Sequence, residues 1–189
     1  MQRPTQPTGA GARTAVRPDR LATVPTQPVL RVLTATARGM VDHTMTRAAR
    51  QAFDELMGAV GRAGLMPQVA TCMAFAPDQP RSADDRECRY VAGVLFGHAL
   101  HLQQGQAFEP EVPLSGSLAW HTIAPGRFAV FTHRGPYHTL FQAWQVIYRD
   151  WLPTSGETLR NAPPMELCLN DASITPPEDL VTEVWIPVA

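Results

Sequence analysis

Residues 126–153 read GRFAVFTHRGPYHTLFQAWQVIYRDWLP and hold a strand, a stop and a helix in succession. Arg127 to His133 carries the β-branched and aromatic residues a strand favours, and Arg134-Gly135 ends it. Pro136 suits the first turn of a helix. Leu140, Phe141, Trp144, Ile147, Tyr148, Trp151 and Leu152 then recur at threes and fours until Pro153 and Gly156, the period of a helix with one buried face. Downstream, Met165 to Asn170 and Val181 to Val188 read as two strands joined by the turn-rich NDASITPPED. Leu118 to Ile123 reads as an extra strand ahead of the whole unit.

The same order occurs once earlier in the chain. Val29 to Ala37 predicts a strand that stops at Arg38-Gly39. A helix over Asp42 to Arg62 follows, with Met45, Ala49, Ala52, Phe53, Leu56, Met57 and Val60 on one face and Gly64 and Pro67 as stop signals. Gln68 to Ala76 and Cys88 to Phe96 predict two strands, separated by the polar, proline-containing loop Pro77 to Glu87. Gly39 to Gly64 and Gly135 to Gly156 are therefore corresponding intervals of an internal duplication, with pseudo-repeats at about 29–97 and 118–189. The expected fold is α+β: duplicated strand-helix-strand-strand modules forming an antiparallel sheet, two helices on one face and a ligand cleft on the other. Met1 to Pro28, with five prolines and four arginines against one aspartate, is expected to be a disordered tail.

At 189 residues the chain has room for one domain besides that tail. Sixteen basic residues, all arginine, against 17 acidic ones give a net charge of −1, and residues 29–189 alone carry about −4. A field that would draw the protein onto nucleic acid or an anionic membrane is absent. The longest apolar run, Val91 to Phe96, is far too short to span a bilayer. Cys72, Cys88 and Cys168 form an odd set without CxxC spacing, which fits a reducing cytoplasm and neither disulfides nor structural zinc. His98 and His101 form an HxxH, with His121, His133 and His138 elsewhere, but no carboxylate or cysteine stands at ligand spacing. No metal and no cofactor is expected.

Strand alternation sorts the last two strands. Met165, Leu167 and Leu169 are assigned to the helix side, leaving Glu166, Cys168 and Asn170 on the open face. Thr182, Val184, Ile186 and Val188 are likewise assigned to the helices, leaving Glu183, Trp185 and Pro187 opposite. Glutamates on the outer face of an antiparallel sheet are ordinarily solvated, but a tryptophan between two of them argues for a site. Glu166 and Glu183 in partly apolar surroundings would favour a cationic ligand, which relieves both desolvation and mutual repulsion. Trp185, with Tyr90 or Trp120 from neighbouring strands, would stack on its rings, and Cys168 would form a small polarizable part of the wall.

The segment 126–153, followed by MELCLND, a TPPEDL turn and TEVWIPV, resembles the C-terminal half of the GyrI-like small-molecule-binding family. That family includes gyrase-inhibitory proteins and the effector-binding domains of AraC-type and MerR-type multidrug regulators. The resemblance extends from about Leu30 to the end and rests in the first half on element order and CRYVAGVLF. It implies two pseudo-symmetric modules around a cleft, and acidic residues in the last two strands, matched by Glu166 and Glu183, that contact lipophilic cations beside aromatics such as Trp185. Cys168 stands where the family often has an aromatic, and Trp185 where it often has a tyrosine.

Three functions follow as expectations. The first is a cytoplasmic module that senses or sequesters a lipophilic, cationic or aromatic small molecule. The second is an inhibitor that binds DNA gyrase. The third is a hydrolase of cyclopropane-bearing natural products, in which Glu166 and Glu183 share acid and base roles. No helix-turn-helix is legible, so direct nucleic-acid binding is not expected.

Overall fold

The helical stripe upstream of Gly64 forms α1 (Thr46–Arg62), whose Ala48, Ala52, Leu56, Ala59 and Val60 are buried. It starts four residues later than its periodicity predicts. Val41 and Thr44 bridge each other around Asp42 and His43, both in the left-handed region at φ 48° and 61°, so the chain turns before it coils. The computed structural model describes residues 16–27, 29–97 and 109–189. His98 and His101 lie outside them, as do residues 1–15 of the expected tail.

The strands are β1 (Arg20–Val24), β2 (Arg31–Arg38), β3 (Val69–Phe75), β4 (Arg89–Phe96), β5 (Ala119–Thr122), β6 (Gly126–Arg134), β7 (Met165–Cys168) and β8 (Val181–Pro187). They form one antiparallel sheet in the order β1-β6-β8-β7-β3-β4-β2-β5. The second helix is α2 (Leu140–Val146), a π turn over Ile147–Trp151, and α3 (Leu152–Ser155). Pro153 gives the reason for the π turn. In a regular helix its ring meets the carbonyl four residues back, and widening the turn ahead of it removes that clash. Gly156, at φ 74°, ends the helix in the left-handed conformation. Among the described residues no helix is long and apolar enough to cross a membrane.

The duplication is visible in the strand order. β3-β4-β2 of the first module and β7-β8-β6 of the second meet at a β3–β7 seam, where Ala74 pairs with Glu166. Each module gains a fourth strand at its outer edge, and the two leaders are exchanged. β1, which precedes the first module in sequence, pairs with β6, and β5, which precedes the second, pairs with β2. The expectation of a disordered tail through residue 28 is corrected here. Arg20–Val24 is a strand because Ala22 and Val24 bury an apolar edge while Leu21 and Thr23 face out. A run of five residues among prolines is too short for composition to disclose it.

Both faces of the sheet are buried. On one, α1 packs on Leu33, Ala35, Ala92 and Val94, and α2 with its π turn packs on Ala129, Phe131, Val184 and Ile186. The sheet curls so that the other face forms a core of its own. Ala22, Val24, Val32, Met73, Phe75, Phe128, Val130, Met165, Leu167 and Trp185 belong to it. Gly93 faces this inner core, and a Cβ there would sit 2.7 Å from Val32 Cγ1 and 3.1 Å from Met73 Cγ. Gly93→Ala is therefore expected to destabilise the fold by about 1–3 kcal/mol through overpacking. Gly61→Ala, in α1 with open space around it, should stabilise by about 0.5–1 kcal/mol. Urea denaturation of the two variants checks both signs, and a neutral Gly93→Ala would refute the dense inner core.

Candidate functional site: a cleft between the helices

The curl relocates the site. With the inner face filled, the large cavity lies on the helix side, a cleft of about 1770 Å³ between α1 and α2 over the β3–β7 seam. Met45, at the cap of α1, with Phe53 and Met57 of α1 forms one wall, and Phe141, Trp144 and Tyr148 of the second helix form the other. The floor is strand: Cys72 and Ala74 from β3, Tyr90 from β4, Glu166 and Cys168 from β7. Tyr137 and Phe141 expose 41% and 42% of their surface, so aromatic rings line the opening as well as the depth.

The second helix can serve core and cleft at once because its apolar stripe is two rows wide. Leu140, Ile147 and Trp151 are buried against β6 and β8. Phe141, Trp144 and Tyr148 lie one position round and face the cleft. Trp144 and Tyr148 stack with centroids 5.9 Å apart and planes 10° from parallel. Trp144 Nε1 donates to Glu166 Oε1 at 2.6 Å. Glu166 remains reachable from the cleft but lies deep beneath the walls, and that burial pushes its carboxyl above the usual range, an effect the Trp144 hydrogen bond partly offsets. Burial raises the Tyr90 hydroxyl too, and the nearby Glu166 charge adds to it. Among the described residues no salt bridge involves Glu166. The cleft thus offers a carboxyl raised by burial within an aromatic box.

Of the residues singled out in the sequence, Glu166, Cys168 and Tyr90 line this cleft. Glu183 and Trp185 do not. In the β7–β8 ladder Leu167 pairs with Glu183 and Glu166 with Val184, so the two glutamates point to opposite faces. Alternation had sorted each strand correctly into two sets, but β7 was assigned the wrong way round. Its apolar set fills the inner core, and its polar set faces the helices because a cleft lies there. Glu183, 6% exposed, is consumed by the fold. Arg20 donates to both its carboxylate oxygens at 2.5 and 2.9 Å, and Trp185 Nε1 donates at 2.9 Å. Trp185 is 2% exposed, packed edge-on against Phe128 and covered by the Arg20 guanidinium, so it presents no ring to a ligand. Trp120 packs on Phe96 in the α1 core at the β5 edge, outside the cleft. The separation also removes the shared acid and base pair on which the hydrolase expectation rested.

Sequence reasoning missed Trp144, Tyr148, Phe141 and Phe53, which it read as helix core. The signal was present: Phe141, Trp144 and Tyr148 make the stripe wider than one packing face needs.

Two helices walling a sheet floor that carries one recessed carboxyl make this a small-molecule-binding domain. The chain matches the GyrI-like small molecule binding domain over residues 23–189 and belongs to that family. It is 38% identical over 67 residues to the probable transcriptional regulator YgiV of Escherichia coli K12, a match covering 35% of this chain and 42% of YgiV, less than half the length of that relative. Among solved structures it resembles the EcmrR C-terminal domain (TM-score 0.59, 14% identity, 90% of this chain and 96% of that one). It also resembles SAV2435 bound to tetraphenylphosphonium (TM-score 0.51, 16% identity, 90% and 93%). At these identities the likeness is one of fold.

Proposed function

We propose that this protein senses or sequesters lipophilic aromatic cations in the cleft between α1 and α2, with Glu166 as the counter-charge. The observation that carries the reading is the Glu166 carboxyl, recessed among aromatic rings and held by Trp144 rather than by an arginine. A carboxylate without a basic partner in such surroundings is costly, and a cation whose own charge is spread over apolar rings relieves that cost without bringing much water. Phe53, Tyr90, Trp144 and Tyr148 supply faces for the rings, each contact worth about 0.5–2 kcal/mol according to burial. That SAV2435 was solved with tetraphenylphosphonium supports the ligand class. The three cysteines are free thiols, and we place the protein in a reducing, cytoplasmic setting. Nothing among the described residues favours gyrase as a partner over the small-molecule reading.

The test is a titration with tetraphenylphosphonium followed by tryptophan fluorescence, since Trp144 lies in the wall. Saturable quenching is expected in the wild type and equally in Glu183→Gln, whose side chain faces the inner core. Loss of binding in a folded Glu183→Gln, or none in the wild type, would overturn the assignment of the site.

A further inference from the structure

The cleft floor holds a second chemistry that does not involve Glu166. Met73 pairs with Leu167 across the β3–β7 seam, and the next position along each strand is a cysteine, Cys72 on β3 and Cys168 on β7. Both line the cleft. Thr71 Oγ1 donates to the Cys168 carbonyl at 3.0 Å, so the strands are still side by side at this level. Directly opposed positions on antiparallel strands hold their Cβ atoms about 4.5–5.5 Å apart, a span over which two sulfurs can close on one atom. Thr182 pairs with Cys168 from the far side, and its buried Oγ1 has no hydrogen-bond partner among the described residues. Three side chains in a row across β3, β7 and β8 therefore face the cleft, Cys168 in a hydrogen bond with Tyr137 and Thr182 with its hydroxyl unused. Cys88 also lines the cleft but stands apart from the pair, just ahead of β4 and six residues from Val94, the β4 partner of Cys72, with its backbone amide bonded to Asp85.

We propose that Cys72 and Cys168 form a dithiol site for trivalent aryl arsenicals, the arsenic bridging the two sulfurs and the aryl group lying against Trp144 and Tyr148. The aryl dihydroxyarsine enters with two As–O bonds. Two As–S bonds replace them, each hydroxyl leaves with one thiol proton as water, and neither arsenic nor sulfur changes oxidation state. The setting suits this exchange. Burial keeps both thiols protonated and raises Cys168 to about 12, an effect that its hydrogen bond with Tyr137 partly offsets and that Cys72 and Glu166 reinforce. Protonated thiols are poor ligands for a metal cation, which must displace both protons into solvent, and they resist oxidation. An arsenical brings the hydroxyls that remove those protons. The inference uses the aromatic walls of the proposed cation site but not its carboxyl, so the two readings can fail separately.

The experiment treats the full chain, kept reduced by a phosphine, with phenylarsine oxide in the presence of excess monothiol. Intact mass should show one phenylarsenic unit gained and two hydrogens lost per chain. Peptide mapping should find the adduct joining the segments that contain Cys72 and Cys168, and a vicinal dithiol should remove it. Cys72→Ala and Cys168→Ala should each lose at least about a hundredfold in resistance to the monothiol, the usual gain from linking two attachments. Cys88→Ala should match the wild type. Capture that survives loss of Cys168, an adduct mapped to Cys88, or no wild-type capture against monothiol would overturn the proposal, and the mapping stands whether or not a variant folds. Arsenical capture without tetraphenylphosphonium binding would overturn the cation reading alone.

Discussion

Glu166→Gln is expected to lose the affinity of the cleft for lipophilic cations and, at neutral pH, to make the fold more stable. The loss arises because a cation in the aromatic box would face an amide where it had a carboxylate. Removing one partner of a buried charge pair costs about 2–5 kcal/mol, or thirtyfold and more in Kd. The gain follows from linkage. The folded carboxyl is raised by burial, so between the unfolded and folded pKa the native state binds more protons, and stability falls as pH rises through that window. Above it, the ionised Glu166 is a standing cost that glutamine avoids, so urea denaturation should show the variant to be the more stable. In the wild type the same elevation makes cation affinity pH-dependent. Kd should rise as pH falls through the raised pKa, at a higher pH than an ordinary glutamate would give, and protons should be released on binding. Calorimetry in buffers of different ionisation enthalpy measures that release. A Glu166→Gln variant that binds tetraphenylphosphonium as well as the wild type would remove the carboxyl from the mechanism.

Arg20→Ala should have the largest effect on stability of any single change outside the hydrophobic cores. It strips both arginine hydrogen bonds from Glu183 and leaves a carboxylate whose side chain is 8% exposed, with the Trp185 indole as its one remaining donor among the described residues. Breaking a buried pair on one side costs about 3–5 kcal/mol. The Arg20 side chain is 41% exposed, so solvent screening brings the expected loss nearer 2–3 kcal/mol. Arg20→Met combined with Glu183→Gln should recover most of it, since the amide oxygen still accepts from Trp185. Cation affinity should be unchanged in both. Wild-type stability in Arg20→Ala would mean that β1 is not held by this pair.

Much of the fold is legible in the sequence because punctuation and period agree. Gly39 and Gly135 mark both strand ends, Gly64 and Gly156 both helix ends, and the strands fall within two residues of their predicted bounds. β1 escaped because RLATV has only two inward residues and sits among prolines. Its counterpart was in view: β5 precedes the second module, so the duplication itself calls for a strand ahead of the first. The site is only half legible, for a different reason. Alternation tells which residues share a face, but it names the core face only when the other face meets water. Here both are buried, and no local feature of MELC says whether Met165 and Leu167 or Glu166 and Cys168 look toward the helices. The curl of the sheet decides that, and it depends on all eight strands together.

The exchanged leader strands also govern the order in which the molecule can be assembled. β1 is made early, but its partner β6 begins more than a hundred residues later, and the Arg20–Glu183 pair closes a separation of 163 residues. During synthesis β1 must therefore wait, its apolar edge unpaired, until residues 126–134 have been made. Contacts this distant are closed against a large loop entropy and slow the folding of any sheet that depends on them. The first module, complete in sequence by Phe96, lacks β5 on its outer edge and β7 at the seam until later. Neither half finishes without the other, and the cleft over their junction exists only at the end.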